Sequence, residues 1–189
     1  MGYAETIVLD VRIAQVPQVV SVVTGRPGVA VWVSEIGVLN RVVLFRTADS
    51  YAELLDGRPD LLSVLPEDAL LSIDVTAWRV ISPLLPAGQH GSIYEWRCYE
   101  LKVGQVGDVE EAFAAAVPHR LELSPLLCGM ISIEGRPRLV HIWPYADMNA
   151  RFDVRAQAVA SGVWPPKIGK GLVAMENAVL IPASGSAWR

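Results

Sequence analysis

One stretch of the chain repeats itself, and nothing else in the sequence constrains the fold as strongly. Gly37–Leu54 (GVLNRVVLFRTADSYAEL) aligns without gaps on Gly135–Phe152 (GRPRLVHIWPYADMNARF) at an offset of 98 residues. Gly37 falls on Gly135, Val42 on Val140, Leu44 on Ile142, Phe45 on Trp143, Ala48-Asp49 on Ala146-Asp147 and Ala52 on Ala150. The same offset carries Trp32-Val33-Ser34 onto Met130-Ile131-Ser132, and each half closes on an apolar run that reaches a proline, Ile73–Pro83 and Leu172–Pro182. Self-similarity at this spacing marks a duplicated structural unit.

The second half shows the unit more clearly. It reads as a strand over Ile93–Leu101, a helix over Gly107–Leu123, strands over Cys128–Ile133 and Leu139–Trp143, a helix over Asp147–Ala160 and a strand over Leu172–Leu180. Gly135-Arg136-Pro137 supplies the hairpin turn between the middle strands. Val109, Phe113, Val117 and Leu121 recur every four residues as one helical stripe, which Pro118 should kink or end early. Asp147 is placed to cap the second helix, with Phe152, Ala156, Val159 and Ala160 as its expected buried face.

This βαββαβ order is the ferredoxin-like unit, whose sheet carries helices on one face and needs a partner for the other. Two tandem copies supply that partner internally. The expected fold is therefore α+β: two ferredoxin-like units, residues 1–84 and 92–189, packed sheet to sheet into a barrel. The Pro/Gly-rich segment 85–91 links them. The first helix of the first unit, Val16–Thr24, reads as short, β-branched and broken by Pro17.

Composition narrows the function classes. Hydrophobic residues are 52% of the chain and charged residues 19%, enough for a sizeable core and too few charges for disorder. The formal net charge is −4 with no Lys/Arg-rich block, which argues against nucleic acid or an anionic membrane surface as a partner. Cys98 and Cys128 have neither CxxC spacing nor a histidine cluster and are expected to be buried, reduced thiols. The first residues carry no leader pattern, and no window holds the roughly 18 apolar residues of a spanning helix. A cytoplasmic protein without membrane insertion is expected.

The segment Tyr94-Glu-Trp-Arg-Cys-Tyr-Glu-Leu-Lys-Val-Gly104 resembles the opening strand of NIPSNAP domains, YElRxYxLkpG. The segment His141-Ile-Trp-Pro-Tyr-Ala-Asp-Met-Asn-Ala-Arg151 is similar to their most characteristic stretch, hxWxYxdxxxR. Trp164 and Met175–Pro182 extend the resemblance, which spans about residues 92–185. The first half shares it only through the duplication, with Phe45, Thr47 and Glu53 where the family has tryptophan, tyrosine and arginine. The resemblance implies an intramolecular dimeric α/β barrel. That superfamily holds cofactor-free monooxygenases, decarboxylases, haem-degrading enzymes and stress proteins without a known reaction, so family alone names no activity.

Alternation along the strands assigns residues to faces. Tyr94, Trp96 and Cys98 are expected against the helices, with Glu95, Arg97 and Tyr99 lining the barrel interior. His141, Trp143, Met130, Ser132 and Glu176 are expected to face inward as well. The first half would add Asp10, Arg12, Trp32, Ser34, Val43 and Phe45, with Val43 where the second copy has His141. The outcome is a cavity with one apolar, aromatic wall and one wall bearing Glu95, Arg97, Tyr99 and His141, the makeup of a small-molecule site. His141 would act as acid or base, Tyr99 would donate to a developing oxyanion and Arg97 would hold a carboxylate or enolate.

Structural roles stay open for the same residues. Glu95 and Arg97 can pair across the sheet with Asp10 and Arg12, Trp143 and Tyr145 can simply pack, and Arg151 can pair with Asp147 along its helix. No cofactor is expected; a haem would need an axial ligand in the cavity, for which His141 is the candidate. The expected activity is binding of a small apolar or aromatic ligand, with cofactor-free catalysis on a hydrophobic carbonyl or phenolic compound as its enzymatic form. A non-catalytic binding, scaffolding or assembly protein is the rival. A homodimer is the expected assembly, although the fused pair makes a monomer feasible.

Overall fold

A computed structural model describes residues 2–189. The first unit runs β1 (Tyr3–Val11), α1 (Val16–Val23), β2 (Val29–Ile36), β3 (Arg41–Ala48), α2 (Tyr51–Leu62), β4 (Leu70–Val80). The second runs β5 (Ile93–Leu101), α3 (Val106–Leu121), β6 (Cys128–Ser132), β7 (Arg138–Tyr145), α4 (Met148–Ala160), β8 (Leu172–Pro182). All strand pairs are antiparallel, and the eight strands close a ring in the order β1-β3-β2-β8-β5-β7-β6-β4. The expected fold of two βαββαβ units closing one barrel is what the chain adopts.

Local signals act where the sequence puts them. Asp147 caps α4 by accepting from the Ala150 amide at 2.8 Å, and Ser50 and Glu53 form a reciprocal capping box on α2. Pro17 sits in the first turn of α1, where a missing N–H costs nothing, so it starts that helix rather than breaking it. Pro118 lies in the last turn of α3, and the helix continues to Leu121.

The copies do not correspond at one offset. Interior-facing Trp32 pairs with Val43, and interior-facing Met130 pairs with Val140. Trp32 and Met130 are 98 apart, but Val43 and Val140 only 97. The helix caps Ser50 and Asp147 keep the offset of 97. The gap-free match through β3 and β7 is thus one residue out of structural register, and a slip of one moves every side chain to the other face of the sheet. His141 corresponds to Leu44, and Trp143 to Arg46. The turns before α1 and α3, Arg12-Ile13-Ala14-Gln15 and Lys102-Val103-Gly104-Gln105, correspond at an offset of 90. The jump from 90 to 98 is the length difference between α1, 8 residues, and α3, 16 residues.

Three apolar layers follow. Two lie between each sheet and its own helices; the third fills the barrel and draws on both copies. One end of the barrel is plugged: Trp32 stacks on Phe45 and Tyr94 with centroids 5.6 and 5.0 Å apart, and Trp188 meets Phe45 edge-on. The Trp188 indole donates to the Leu85 carbonyl, and Trp32 donates to the Trp188 carbonyl, pinning the C-terminal segment into the plug. The other end is open. There β2 reaches β8 only over Trp32–Ile36, and β6 reaches β4 only over Trp78–Val80, so the first residues of β4 and β8 have a strand neighbour on one side alone.

Candidate functional site

The open end is a cleft assembled from both copies. Three adjoining lobes of about 260, 350 and 310 Å³ all touch Glu176. The first is apolar, walled by Val8, Val43, Trp96, Ala178 and Leu180 with Arg41 at its rim. The others carry Asp10, Asp74, Thr76, Cys98, Glu100 and Arg138 over a floor that includes Trp78. Asp10 and Arg41 are cross-strand partners and form a two-pronged ion pair at 2.8 and 3.2 Å, with Ser72 donating to the same carboxylate. The Arg41 hydrogen bond holds the Asp10 pKa below its ordinary value against the opposing effect of burial.

The duplicate pair, Glu100 and Arg138, splits. Glu100 meets Arg136, while Arg138 crosses to Thr76 at 2.7 Å and Asp74 at 3.6 Å, over the Trp78 ring. The buried Arg138 Nε has no acceptor among the described residues. The half-buried Cys98 thiol is pushed up to about 11 by desolvation.

The structure corrects the expected lining. Glu176, Asp10 and Val43 do face the cleft. Trp32, Phe45 and Met130 face inward but are fully buried in the plugged interior. Arg12 lies beyond the end of β1 and is exposed. Ser132 ties the β6–β7 hairpin, donating to the Arg136 carbonyl and accepting from the Arg138 amide.

Glu95, Arg97, Tyr99, His141 and Trp143 lie on the opposite face of the sheet, under α3 and α4, and the interior takes Tyr94, Trp96 and Cys98 instead. The reason is packing: Tyr94 completes the aromatic plug, and strand parity then turns its neighbours outward. His141 therefore cannot act as catalyst or axial ligand inside the barrel, and the expected pairing of Glu95 and Arg97 with Asp10 and Arg12 does not form.

The expected polar groups do come together, on the helix side. Glu95 is 1% exposed, and its Oε1 accepts from Arg97 at 3.0 Å, Arg151 at 2.7 Å and Arg155 at 3.2 Å. Tyr145 donates to Oε2 at 3.4 Å and accepts from the buried Arg120 at 2.9 Å. Arg120 also donates to Ser124 and lies 4.3 Å over the Trp143 ring. Arg97 donates to the Tyr99 hydroxyl at 2.6 Å. His141 is enclosed by Tyr99, Phe113, Trp143 and Trp164, and its Nδ1 accepts from the Trp143 indole, which leaves the proton on Nε2. Burial first, then the charges of Arg97, Arg120 and Arg155, press its pKa well below the ordinary value. It is neutral and a poor proton acceptor.

Arg151 pairs with Glu95 and not with Asp147, whose carboxylate is used as the cap. The buried side of α4 is Arg151 and Ala158, whereas Phe152 and Val159 are 56% and 61% exposed. Arg120 and Arg155 went unnoticed in the sequence. Arg155 stands 97 residues after Arg58, and Arg58 with Arg46 binds Glu5, the buried counterpart of Glu95. The corrected offset exposes that pair.

Among the described residues no group of three or more His, Cys, Asp or Glu is placed to hold a metal ion, and no helix is long and apolar enough to cross a membrane. Fold and sites together define a dimeric α/β barrel fused into one chain, with a cleft shared by both copies and a buried arginine cluster in the second. Over residues 94–187 the chain matches the NIPSNAP family model and belongs to the NIPSNAP family.

A NipSnap homologue of Dictyostelium discoideum is 30% identical over 95 residues, which is 48% of this chain and 42% of that protein. The chain thus spans less than half the length of that relative. The whole barrel is similar to a proposed monooxygenase of Fusobacterium nucleatum (TM-score 0.68, 10% identity, 98% of this chain and 94% of that one). It is also similar to an anthrone oxidase-like protein (TM-score 0.66, 8% identity, 97% and 92%). These likenesses show a shared fold.

Proposed function

We propose that the chain binds a flat, hydrophobic carbonyl or phenolic compound in the open end of its barrel. The observation that carries this is the cleft itself. An apolar lobe backed by Trp96 and Leu180 has the Arg41 guanidinium at its rim and adjoins the lobes lined by Arg138, whose buried Nε has no acceptor among the described residues. An aromatic body suits the first feature and a carbonyl or phenol oxygen the second. Turnover is not part of the proposal. His141 and Tyr99, the groups suited to proton transfer, lie behind the sheet, and the carboxylates of Asp10 and Asp74 are engaged by Arg41 and Arg138.

The test is calorimetric titration with anthrone and 1-naphthol, run alongside an oxygen electrode. Saturable binding without oxygen uptake is expected. Val8→Phe, which fills the apolar lobe, should abolish binding while the fold persists. Binding unchanged in Val8→Phe, or no saturable binding of either compound, refutes the cleft. Oxygen consumption that requires the protein refutes the non-catalytic reading.

A further inference from the structure

We infer that the C-terminal copy carries a second site, for a small oxyanion, between its sheet and helices α3 and α4. The duplication supplies an internal control. Where the second copy has Arg97, Tyr99 and His141, the first has Ile7, Leu9 and Leu44, all buried in an aliphatic layer. The fold packs this layer with hydrocarbon in one copy, so it does not require the polar groups of the other.

The charges of the cluster do not balance. Arg97, Arg151 and Arg155 converge on one carboxylate, Glu95; Arg120 reaches it only through the Tyr145 hydroxyl, and His141 beside them is neutral. Among the described residues Arg120, 2% exposed, bonds only to the uncharged hydroxyls of Ser124 and Tyr145. In the first copy Glu5 answers two arginines. Buried charges are ordinarily paired, yet Arg97, Arg120 and Arg151, none more than 15% exposed, have one carboxylate between them, a surplus of two positive charges before the more exposed Arg155 is counted.

One guanidinium donor is also left unspent. The Arg151 side chain is 9% exposed, and its buried Nε has no acceptor among the described residues. Solvent reaches the cluster along Arg155, whose side chain is 37% exposed, and along Arg97 at 15%. A phosphate or carboxylate entering there would take the free guanidinium hydrogens and cancel part of the surplus.

Thermal unfolding of the full chain against inorganic phosphate and, separately, benzoate tests the site, with ionic strength held by sodium chloride. A saturable rise in Tm is expected with at least one of them, and the stronger anion identifies the ligand source. Arg155→Gln should weaken the apparent affinity about tenfold, the loss of one charge-assisted contact, and Arg155→Lys should keep most of it. Arg58→Gln, the same position in the first copy, should leave the response unchanged. No saturable rise with either anion overturns the inference. So does an equal loss in Arg58→Gln and Arg155→Gln, which would mean general charge rather than a site. The cleft ligands anthrone and 1-naphthol carry no such anion, so this test stands apart from that of the cleft.

Discussion

Replacing Glu95 by glutamine removes one negative charge and almost no volume from the centre of the second copy. The carboxylate is 1% exposed and accepts from three guanidiniums and a phenol. Removing one partner of a buried ion pair costs about 3–5 kcal/mol, because the charge left behind is neither solvated nor answered. Arg97 and Arg151 are 15% and 9% exposed and cannot turn to water without unpacking α4. Glu95→Gln should therefore fall in that range, a loss of roughly 6–20 °C in Tm at about 2–4 °C per kcal/mol for a chain of this size. Glu5→Gln should cost less, since Arg46 and Arg58 are 14% and 25% exposed and rehydrate more easily. Glu100→Gln is the surface control: its partner Arg136 is 79% exposed, and the change should stay below about 1 kcal/mol. Urea unfolding read by tryptophan fluorescence gives all three differences. A Glu95→Gln protein within 1 kcal/mol of the parent would show that the arginines do not depend on this carboxylate, and the account of the cluster would fail.

Other outcomes follow from single residues. Because His141 has its pKa depressed in the folded state, the unfolded chain binds the proton more readily; stability is complete above about pH 6.5 and falls as the pH drops below it, by up to about 1.4 kcal/mol per unit. His141→Leu should flatten the stability profile between about pH 5 and 6.5, above the range where Asp10 and Glu110 lose their charge, whereas a slope kept in the variant would place its origin elsewhere. Ala14 takes φ 68° where the second copy has Gly104 at φ 81°, so Ala14→Gly should be neutral to stabilising by up to about 1 kcal/mol and Gly104→Ala destabilising by about 1, both measured by calorimetry. At pH 8 a thiol reagent should modify Cys98 slowly, since its thiol is pushed up to about 11, and Cys128 only on unfolding, since it is fully buried; anthrone in the cleft should slow Cys98 further.

Much of the architecture is written locally. The order of strands and helices follows from apolar periodicity, from the caps at Ser50 and Asp147 and from the Gly135 turn, all of which act over a few residues. The duplication is likewise legible, and with it the need of each sheet for a partner. Co-location of Glu95, Arg97, Tyr99 and His141 could also be read, because antiparallel partners such as Arg97 and His141 share a face.

Which face that was, only the assembled barrel decided. Tyr-Glu-Trp-Arg-Cys-Tyr offers large side chains on both parities, so alternation alone does not tell inside from outside. The choice falls to Tyr94, drawn into a plug whose other members, Trp32, Phe45 and Trp188, come from distant parts of the chain. The same holds for α4. Its apolar residues pointed to one buried face, but the pull of Glu95 on Arg151 and Arg155 turned another inward. Periodicity records hydrophobicity along a single segment, whereas burial is settled by what the segment meets, and a buried carboxylate outweighs a phenylalanine that can stay at the surface.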